Sequence, residues 1–188
     1  MEPAPPVVRV SAGGIARLRE LLREGGGLMS ELLSADGHDP AANGAPSPAA
    51  LAAAGPRAAG RREEYELLVE AIYEGYLLHY GAPRLIDAPE ADLGLLAGDR
   101  LYAIGLARLV DLGDTLAVAE LADTITLSAL AHGAGQPELA EATWEAGASA
   151  VGWGPSSQHR RAKEMVLGGD PLALDAMRTC VRSVPAPR

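Results

Sequence analysis

The sequence predicts an all-α protein, an antiparallel helical bundle of about six helices with a flexible Ala/Gly/Pro-rich linker near the N-terminus. Three observations favour this class. The chain is 48% hydrophobic but only 4% aromatic and has no Phe, so Ala and Leu, which strongly favour helices, must fill the core. Apolar residues recur at helical spacing from residue 63 onward. Strand-like patterning is nearly missing, and residues 7–10 are the one candidate.

The 188 residues divide into three segments. Residues 1–34 form an N-terminal helical segment, with a helix over about 12–33 that Ser11 can cap. The run Gly25-Gly26-Gly27 either interrupts this helix or divides it into two short ones. Residues 35–60 contain four prolines among Ala and Gly and are predicted to be a flexible linker, within which 48–54 could form a short helical turn. Residues 61–183 form the bundle domain.

Six helices are predicted in the bundle domain from their spacing and end signals. The first ends at Gly81, before Pro83. Gly113 suits the end of the second helix and Asp114 the N-cap of the third, while Pro137 suits the first turn of the fourth. Their short connections favour antiparallel neighbours. The predicted ranges are 63–80, 90–112, 116–131, 137–151, 156–167 and 170–182.

Charge and composition exclude several classes of protein. The net charge is −9, and residues 61–154 carry five Arg against sixteen acidic residues. A strongly acidic body repels phosphate backbones, so no nucleic-acid partner is expected. The sequence has no apolar run long enough for a transmembrane segment and no signal-peptide pattern at its start. Its one cysteine, Cys180, suits a reducing compartment, and a cytoplasmic location is expected.

The usual enzyme signatures are missing from the sequence. It has neither a phosphate-binding glycine loop nor a Gly-x-Ser-x-Gly elbow, and its four histidines are dispersed. Glu120 and Asp123 lie three residues apart and could share a cation, but helix surfaces commonly carry such pairs. The five glutamates between residues 63 and 74 are interpreted as a solvated helix face. No catalytic residue, metal ligand or bound cofactor is therefore assigned to this chain.

Two neighbouring features are less ordinary. In the segment 95–103, Gly98 permits close approach of a second helix, and Asp99 needs a polar groove or a partner such as Arg100, Arg84 or Tyr76. In the segment 73–84, three Tyr and one His lie near a helix end, which suits a half-buried groove, an interface, or the polar rim of a plain core. The binding or interface candidates are Tyr73, Tyr76, His79, Tyr80, Arg84, Asp99, Arg100 and Tyr102.

These two features resemble the trans-isoprenyl diphosphate synthase superfamily, and most of all the small non-catalytic subunit of heterodimeric heptaprenyl diphosphate synthase. In that family a helix ending in a Leu-Val-His-Asp-Asp type sequence precedes an Arg-bearing connection and a helix that opens with Leu-Ala-Gly-Asp. Here Leu77-Leu78-His79, then Arg84, then Leu96-Ala97-Gly98-Asp99 match that order. The stretch from Leu116 to Gln136 is also similar to the next helix of the family. The resemblance covers about residues 65–136.

The chain departs from the catalytic members of this family. Those enzymes hold Mg²⁺ with two aspartate-rich clusters, because hard cations need carboxylate oxygens. Tyr80-Gly81-Ala82-Pro83-Arg84 stands where the first cluster belongs, and no Asp-Asp pair occurs in the sequence. The resemblance therefore implies an accessory subunit that pairs with a larger catalytic chain, helps to set product length, and meets Mg²⁺ only through that partner.

Two other functions remain open from the sequence. The chain could be a stand-alone helical interaction or regulatory protein, which includes self-association. It could also be a helical bundle that binds an apolar ligand. A large exposed apolar surface would favour a protein partner, whereas a closed apolar cavity would favour a ligand.

Overall fold

The computed structural model describes residues 13–35 and 47–182, and within these ranges the chain is all-α. The helices are α1 (Gly14–Gly25), α2 (Gly27–Glu31), α3 (Pro48–Ala54), α4 (Arg62–Tyr80), α5 (Ala91–Asp111), α6 (Thr115–Gly133), α7 (Pro137–Trp153), α8 (Ser157–Leu167) and α9 (Ala173–Arg182). The all-α prediction is confirmed. The proposed Ser11 cap, the strand candidate at 7–10 and linker residues 36–46 lie outside the described ranges.

The helices of the bundle domain begin and end close to the predicted positions because their end signals are local. Gly113 adopts a φ of 74°, a left-handed conformation that favours glycine, and closes α5. Asp114 caps α6 by accepting a hydrogen bond from the Ala117 N–H at 3.0 Å. Pro137 occupies the first turn of α7. In the N-terminal segment, Gly26 at φ 62° separates α1 from α2, so two short helices form.

The segment 47–60 differs from the flexible linker that the sequence predicts. Ser47 caps α3, whose buried alanines pack between α4 and α7, and a short 3₁₀ turn from Pro56 to Ala58 follows. A Cβ placed on Gly152 of α7 would come 2.5 Å from the Ala52 carbonyl oxygen. The small residues that suggest a linker therefore allow α3 and α7 to pack closely against each other.

The helices pair in an antiparallel way around α4. A Cβ on Gly75 of α4 would lie 2.9 Å from the Gly98 carbonyl oxygen of α5, and one on Gly105 would lie 2.9 Å from the Leu68 carbonyl oxygen. Residue numbers thus rise along α4 as they fall along α5. α6 and α7 are also antiparallel neighbours, because Ala131 near the end of α6 packs with the beginning of α7.

Three apolar clusters make up the core. The central one joins α3, α4, α6 and α7, and it contains the fully buried Trp144 and Ile72. A second joins α6 and α7 to α8 and α9 around Met177. A third packs α1 and α2 against α4, α5 and their connection, where Leu85 is buried. Within the described ranges, every helix is too short or too polar to cross a bilayer.

Candidate functional site

The connection between α4 and α5 is held by a buried carboxylate, Glu74. Its Oε1 accepts hydrogen bonds from the backbone N–H groups of Arg84 at 2.6 Å and Leu85 at 2.7 Å. Its Oε2 accepts a hydrogen bond from the Arg84 Nε at 3.0 Å. Glu70, one turn earlier on α4, forms an ion pair with the other end of the Arg84 guanidinium. The carboxylates thus bind the guanidinium and the backbone of the same connection.

The burial of Glu70 and Glu74 corrects the interpretation of this helix face as solvated. The two residues are 3% and 0% exposed, and Arg84 crosses from the connection to neutralise them. Burial raises the pKa of Glu70, and the charge of Arg84 opposes that effect. Burial also acts to lower the pKa of Arg84, but the two carboxylates outweigh it and raise the pKa above its usual value. Arg84 is therefore a buried structural cation.

An aromatic cluster lies beside this junction. Tyr73 and Tyr76 of α4 each place their ring 5.1 Å from the ring of Trp144 on α7. The Tyr80 ring stacks on His132 of α6 at 4.6 Å, and the Tyr76 hydroxyl lies 2.9 Å from the His132 Nε2. The spacing of the three tyrosines along α4 puts them on one helix face. The cluster therefore joins the end of α4 to α6 and α7.

The Arg84 guanidinium also contacts the aromatic cluster. Its central carbon lies 5.2 Å from the centroid of the Tyr73 ring, within the range of a cation–π interaction. Burial raises the pKa of Tyr76 to about 12 and also raises that of Tyr102. These phenols are consequently protonated and neutral at physiological pH, and they can act as hydrogen-bonding groups but not as anions.

Asp99 has a partner that the sequence did not indicate. Its Oδ1 lies 3.3 Å from the Nε2 of His79 on α4, and its side chain is 68% exposed. The expectation of a partner among Arg100, Arg84 and Tyr76 is therefore wrong, because Asp99 faces solvent at the edge of the crossing. The close approach predicted at Gly98 is confirmed, since a Cβ there would meet the His79 ring and the Gly75 carbonyl oxygen.

Seven of the eight candidate residues come together at this end of the molecule. Tyr102 completes the group: its ring lies 5.3 Å from that of His79, and its buried hydroxyl has no hydrogen-bond partner among the described residues. Arg100 lies apart on the exposed side of α5. Sequence reasoning missed His132 and Trp144, because each is an isolated residue within an ordinary helical pattern. The spacing of glutamates on α4 gave no sign of the Arg84 pairing either.

The residues at this site do not fit the Mg²⁺ clusters of the catalytic family. No group of three or more His, Cys, Asp or Glu side chains with a metal-binding arrangement occurs in ranges 13–35 and 47–182. In the segment 80–84, which takes the position of the first aspartate cluster, Arg84 is a cation whose charge is already paired with Glu70 and Glu74. The Glu120 and Asp123 pair instead binds the Lys163 ammonium, at 3.0 and 2.7 Å.

A second feature of the region is the open side of α5. This helix packs on α4 through small residues and leucines, while its opposite side carries apolar residues exposed to solvent. Leu96 is 65% exposed and Val110 is 57% exposed. We define the outer α5 face by its exposed apolar residues Leu95, Leu96, Ala103, Ala107 and Val110.

Two leucines of α6, Leu116 and Leu130, are also exposed. Scattered apolar residues are normal on protein surfaces, but a row along one helix is typical of a contact with another protein. The outer α5 face and the aromatic cluster are therefore the two candidate binding surfaces.

Comparison of the chain with protein-family models, curated proteins and solved structures found no match.

Proposed function

We propose that this chain is an accessory subunit of a polyprenyl diphosphate synthase, which pairs with a larger catalytic chain and helps to set the length of its product. The proposal rests on the resemblance of residues 65–136 and on one structural observation, the outer α5 face. Leu96 opens the Leu-Ala-Gly-Asp motif and is also the most exposed of the three large apolar residues of this face, Leu95, Leu96 and Val110. The motif and the unpartnered surface therefore belong to the same helix.

The internal side of α5 supports the same proposal. The glycines at 98 and 105 bring α5 close to α4, so the helix is fixed along its length before any partner binds. The Glu74–Arg84 pair fixes the connection that leads into α5. A surface that is ordered in advance loses little conformational entropy on binding, which favours a stable complex.

The role of this chain in such a complex would be to position the catalytic partner. The outer α5 face would bury its leucines and valine against the partner, and apolar burial contributes roughly 25 cal/mol per Å². The Mg²⁺ ions and the diphosphate would be bound by the aspartate clusters of the partner. The site around Arg84 would not take part in that chemistry, because its charges are already paired.

Co-purification with a larger isoprenyl diphosphate synthase chain from the same genome tests the proposal. The double variant Leu96→Glu/Val110→Glu should lose the partner, because two charges would be buried in an apolar contact. Leu167→Glu/Leu172→Glu is a matched control, since these leucines are similarly exposed but lie at the end of α8 and in the turn before α9. Circular dichroism establishes that both variants remain helical.

Product analysis provides the second measurement. The wild-type chain and the Leu167→Glu/Leu172→Glu control should change the chain-length distribution of the catalytic partner, and the Leu96→Glu/Val110→Glu variant should not. No association with the synthase chains of that genome, or association without any change in product length, would contradict the accessory role. Exclusive self-association through the outer α5 face would instead support a stand-alone interaction protein.

A further inference from the structure

The aromatic cluster gathers most of the oxidisable rings of the chain. The sequence has no Phe, so each of its five Tyr and two Trp carries a hydroxyl or an indole N–H. Four of these seven rings lie in the cluster, at Tyr73, Tyr76, Tyr80 and Trp144. Because Phe would fill a core equally well, this concentration of rings with polar atoms directs attention to their chemistry.

Three rings of the cluster form a continuous path from the surface to the core. Tyr80 is 42% exposed, and its ring centroid lies 5.7 Å from that of Tyr76, which is 5% exposed. The Tyr76 centroid lies 5.1 Å from that of the buried Trp144. Such separations are typical of aromatic rings in contact. An electron can therefore pass along the path from ring to ring without a bound cofactor.

Tyr76, in the middle of this path, has a proton acceptor. Its hydroxyl lies 2.9 Å from the His132 Nε2, and a neutral imidazole that carries its proton on Nδ1 accepts a hydrogen bond there. Burial raises the pKa of Tyr76 to about 12, so the phenol is protonated at neutral pH. A phenol that loses an electron becomes a strong acid, and its positive charge is costly in a buried site. His132 lies at the distance at which it can take that proton.

Trp144 and Tyr80 differ from Tyr76 in this respect. The indole Nε1 of Trp144 is buried and has no hydrogen-bond partner among the described residues. An oxidised Trp144 would therefore keep a positive charge in the core, which is costly. Tyr80 can release its proton to water, but its exposure also lets solutes react with the radical. Tyr76 is thus the position on the path where an oxidised ring is both neutral and shielded.

We propose that Tyr76 and His132 form a proton-coupled redox site, which is oxidised by one-electron oxidants of the radical class that reach Tyr80. Tyr80 gives one electron to the oxidant and its hydroxyl proton to water. The Tyr80 radical then takes one electron from Tyr76 and one proton from water, which restores its O–H bond. The Tyr76 O–H bond breaks as the His132 Nε2 takes the proton, which leaves a neutral tyrosyl radical beside an imidazolium. A one-electron reductant such as ascorbate returns the electron to Tyr76, and the proton returns from His132.

Flash photolysis of the full chain with a ruthenium tris-bipyridine complex and persulfate tests this route, because the photo-oxidised complex is a one-electron oxidant. Every protein in the series carries Trp153→Phe, since Trp153 is partly accessible and could react directly. Transient absorption and electron paramagnetic resonance distinguish tyrosyl from tryptophanyl radicals. We expect a long-lived neutral tyrosyl radical in the background protein. Tyr76→Phe should abolish it and leave only a short-lived radical on the exposed Tyr80.

Further variants assign the roles. His132→Gln keeps a hydrogen-bonding group but loses the base, so it should slow formation of the long-lived radical by about tenfold or more. Tyr80→Phe should remove most of the radical yield, because the oxidant loses its entry point. Tyr65→Phe is the matched control: it also removes a buried tyrosine hydroxyl, but one that binds Asp114 at the other end of α4, and it should leave the radical unchanged.

The redox site and the accessory function are tested separately. Leu96→Glu/Val110→Glu should lose the synthase partner and keep the long-lived radical, whereas Tyr76→Phe should show the reverse pattern.

Several results would overturn the proposal. These are equal radical lifetimes in Tyr76→Phe and Tyr65→Phe, unchanged radical formation in His132→Gln, and a final radical on Trp144. The background protein in urea provides a test that needs no variant of the cluster. Its radicals should be short-lived, and a long-lived radical in the unfolded chain would show that the fold does not create the site. Circular dichroism establishes that the variants compared are folded.

Discussion

Glu74 accepts hydrogen bonds from both the backbone N–H and the side-chain Nε of Arg84, so one carboxylate ties the middle of α4 to the start of the connection that leads to α5. A third bond comes from the N–H of Leu85. The carboxylate is fully buried, and Leu85 is only 1% exposed, so water cannot replace this carboxylate at the Leu85 N–H. This pair therefore holds in place the region in which the candidate residues meet.

Glu74→Ala should lower the free energy of unfolding by about 3–5 kcal/mol, because it leaves the buried Leu85 N–H and the partly buried Arg84 N–H unpaired and removes one of the two carboxylates that neutralise Arg84. Urea denaturation followed by circular dichroism measures the change. Glu64→Ala, an exposed position of the same helix, is the control and should stay within about 0.5 kcal/mol of wild type. Equal losses in the two variants would show that the Glu74 network has no special role.

The ends of the bundle helices could be predicted from the sequence, because they depend on residues close together in the chain. Asp114 binds the N–H three residues later, and Gly113 supplies a left-handed turn just before it. The closeness of Gly98 to another helix could be predicted for a similar reason, since a glycine inside a helix is costly unless something approaches it.

The charges of α4 could not be predicted in this way. Glu70 and Glu74 repeat at the same spacing as exposed glutamates, and only the fold shows that Arg84 returns to meet them. The short helical turn at 48–54 is confirmed as α3, but its packing against α4 and α7 could not be predicted, because small residues are typical both of linkers and of close crossings. At Gly55, an added Cβ would clash with the backbone of Gly152, almost a hundred residues away, and local patterning carries no such information.

Gly98→Ala should destabilise the protein by about 1–3 kcal/mol, because its methyl group would meet the His79 ring and would lie 3.0 Å from the Gly75 carbonyl oxygen. Thermal unfolding measures the effect. Gly94→Ala is a matched control on α5, where the nearest atom to an added Cβ is the Ala88 Cβ at 3.6 Å. That variant should be neutral or gain up to about 1 kcal/mol, since alanine favours the helix. A Gly98→Ala protein as stable as Gly94→Ala would rule out the close crossing.

The buried tyrosines should limit stability at alkaline pH. The pKa of Tyr65 and of Tyr76 is about 12 in the folded protein, chiefly because of burial, against about 10 in an unfolded chain. Between pH 10 and pH 12, the two phenols keep their protons in the folded protein but lose them in the unfolded chain. Their contribution to the free energy of unfolding is therefore complete below pH 10 and disappears as the pH rises to about 12.

Absorbance of the phenolate form, recorded against pH, measures this titration. The native protein should ionise part of its tyrosine content only near pH 12, whereas the protein in urea should titrate near pH 10. Tyr76→Phe should make the alkaline loss of stability less steep, because one of the contributing phenols is removed. Simultaneous ionisation of all tyrosines near pH 10 in the native protein would contradict the burial of these hydroxyls.

The Glu120 carboxylate should limit stability at acidic pH. Burial acts to raise its pKa, but hydrogen bonds from His159 and Lys163, together with their charges, outweigh this effect and lower it. A lowered folded-state pKa contributes stability that is present above the unfolded value, about 4.3, and is lost as the pH falls through the folded value. Lys163→Met should therefore raise the pKa of Glu120 and move the acid unfolding midpoint to higher pH.

Circular dichroism as a function of pH measures that midpoint. Lys163→Met should also cost about 1 kcal/mol at neutral pH, because a charge-assisted hydrogen bond to a mostly buried carboxylate is lost. Arg161→Met removes the same charge from an exposed position of α8 and should leave the midpoint in place. Both variants lose one positive charge. An equal shift of the acid unfolding midpoint in both would therefore show that net charge causes the effect, and it would exclude the specific pairing of Glu120 with Lys163.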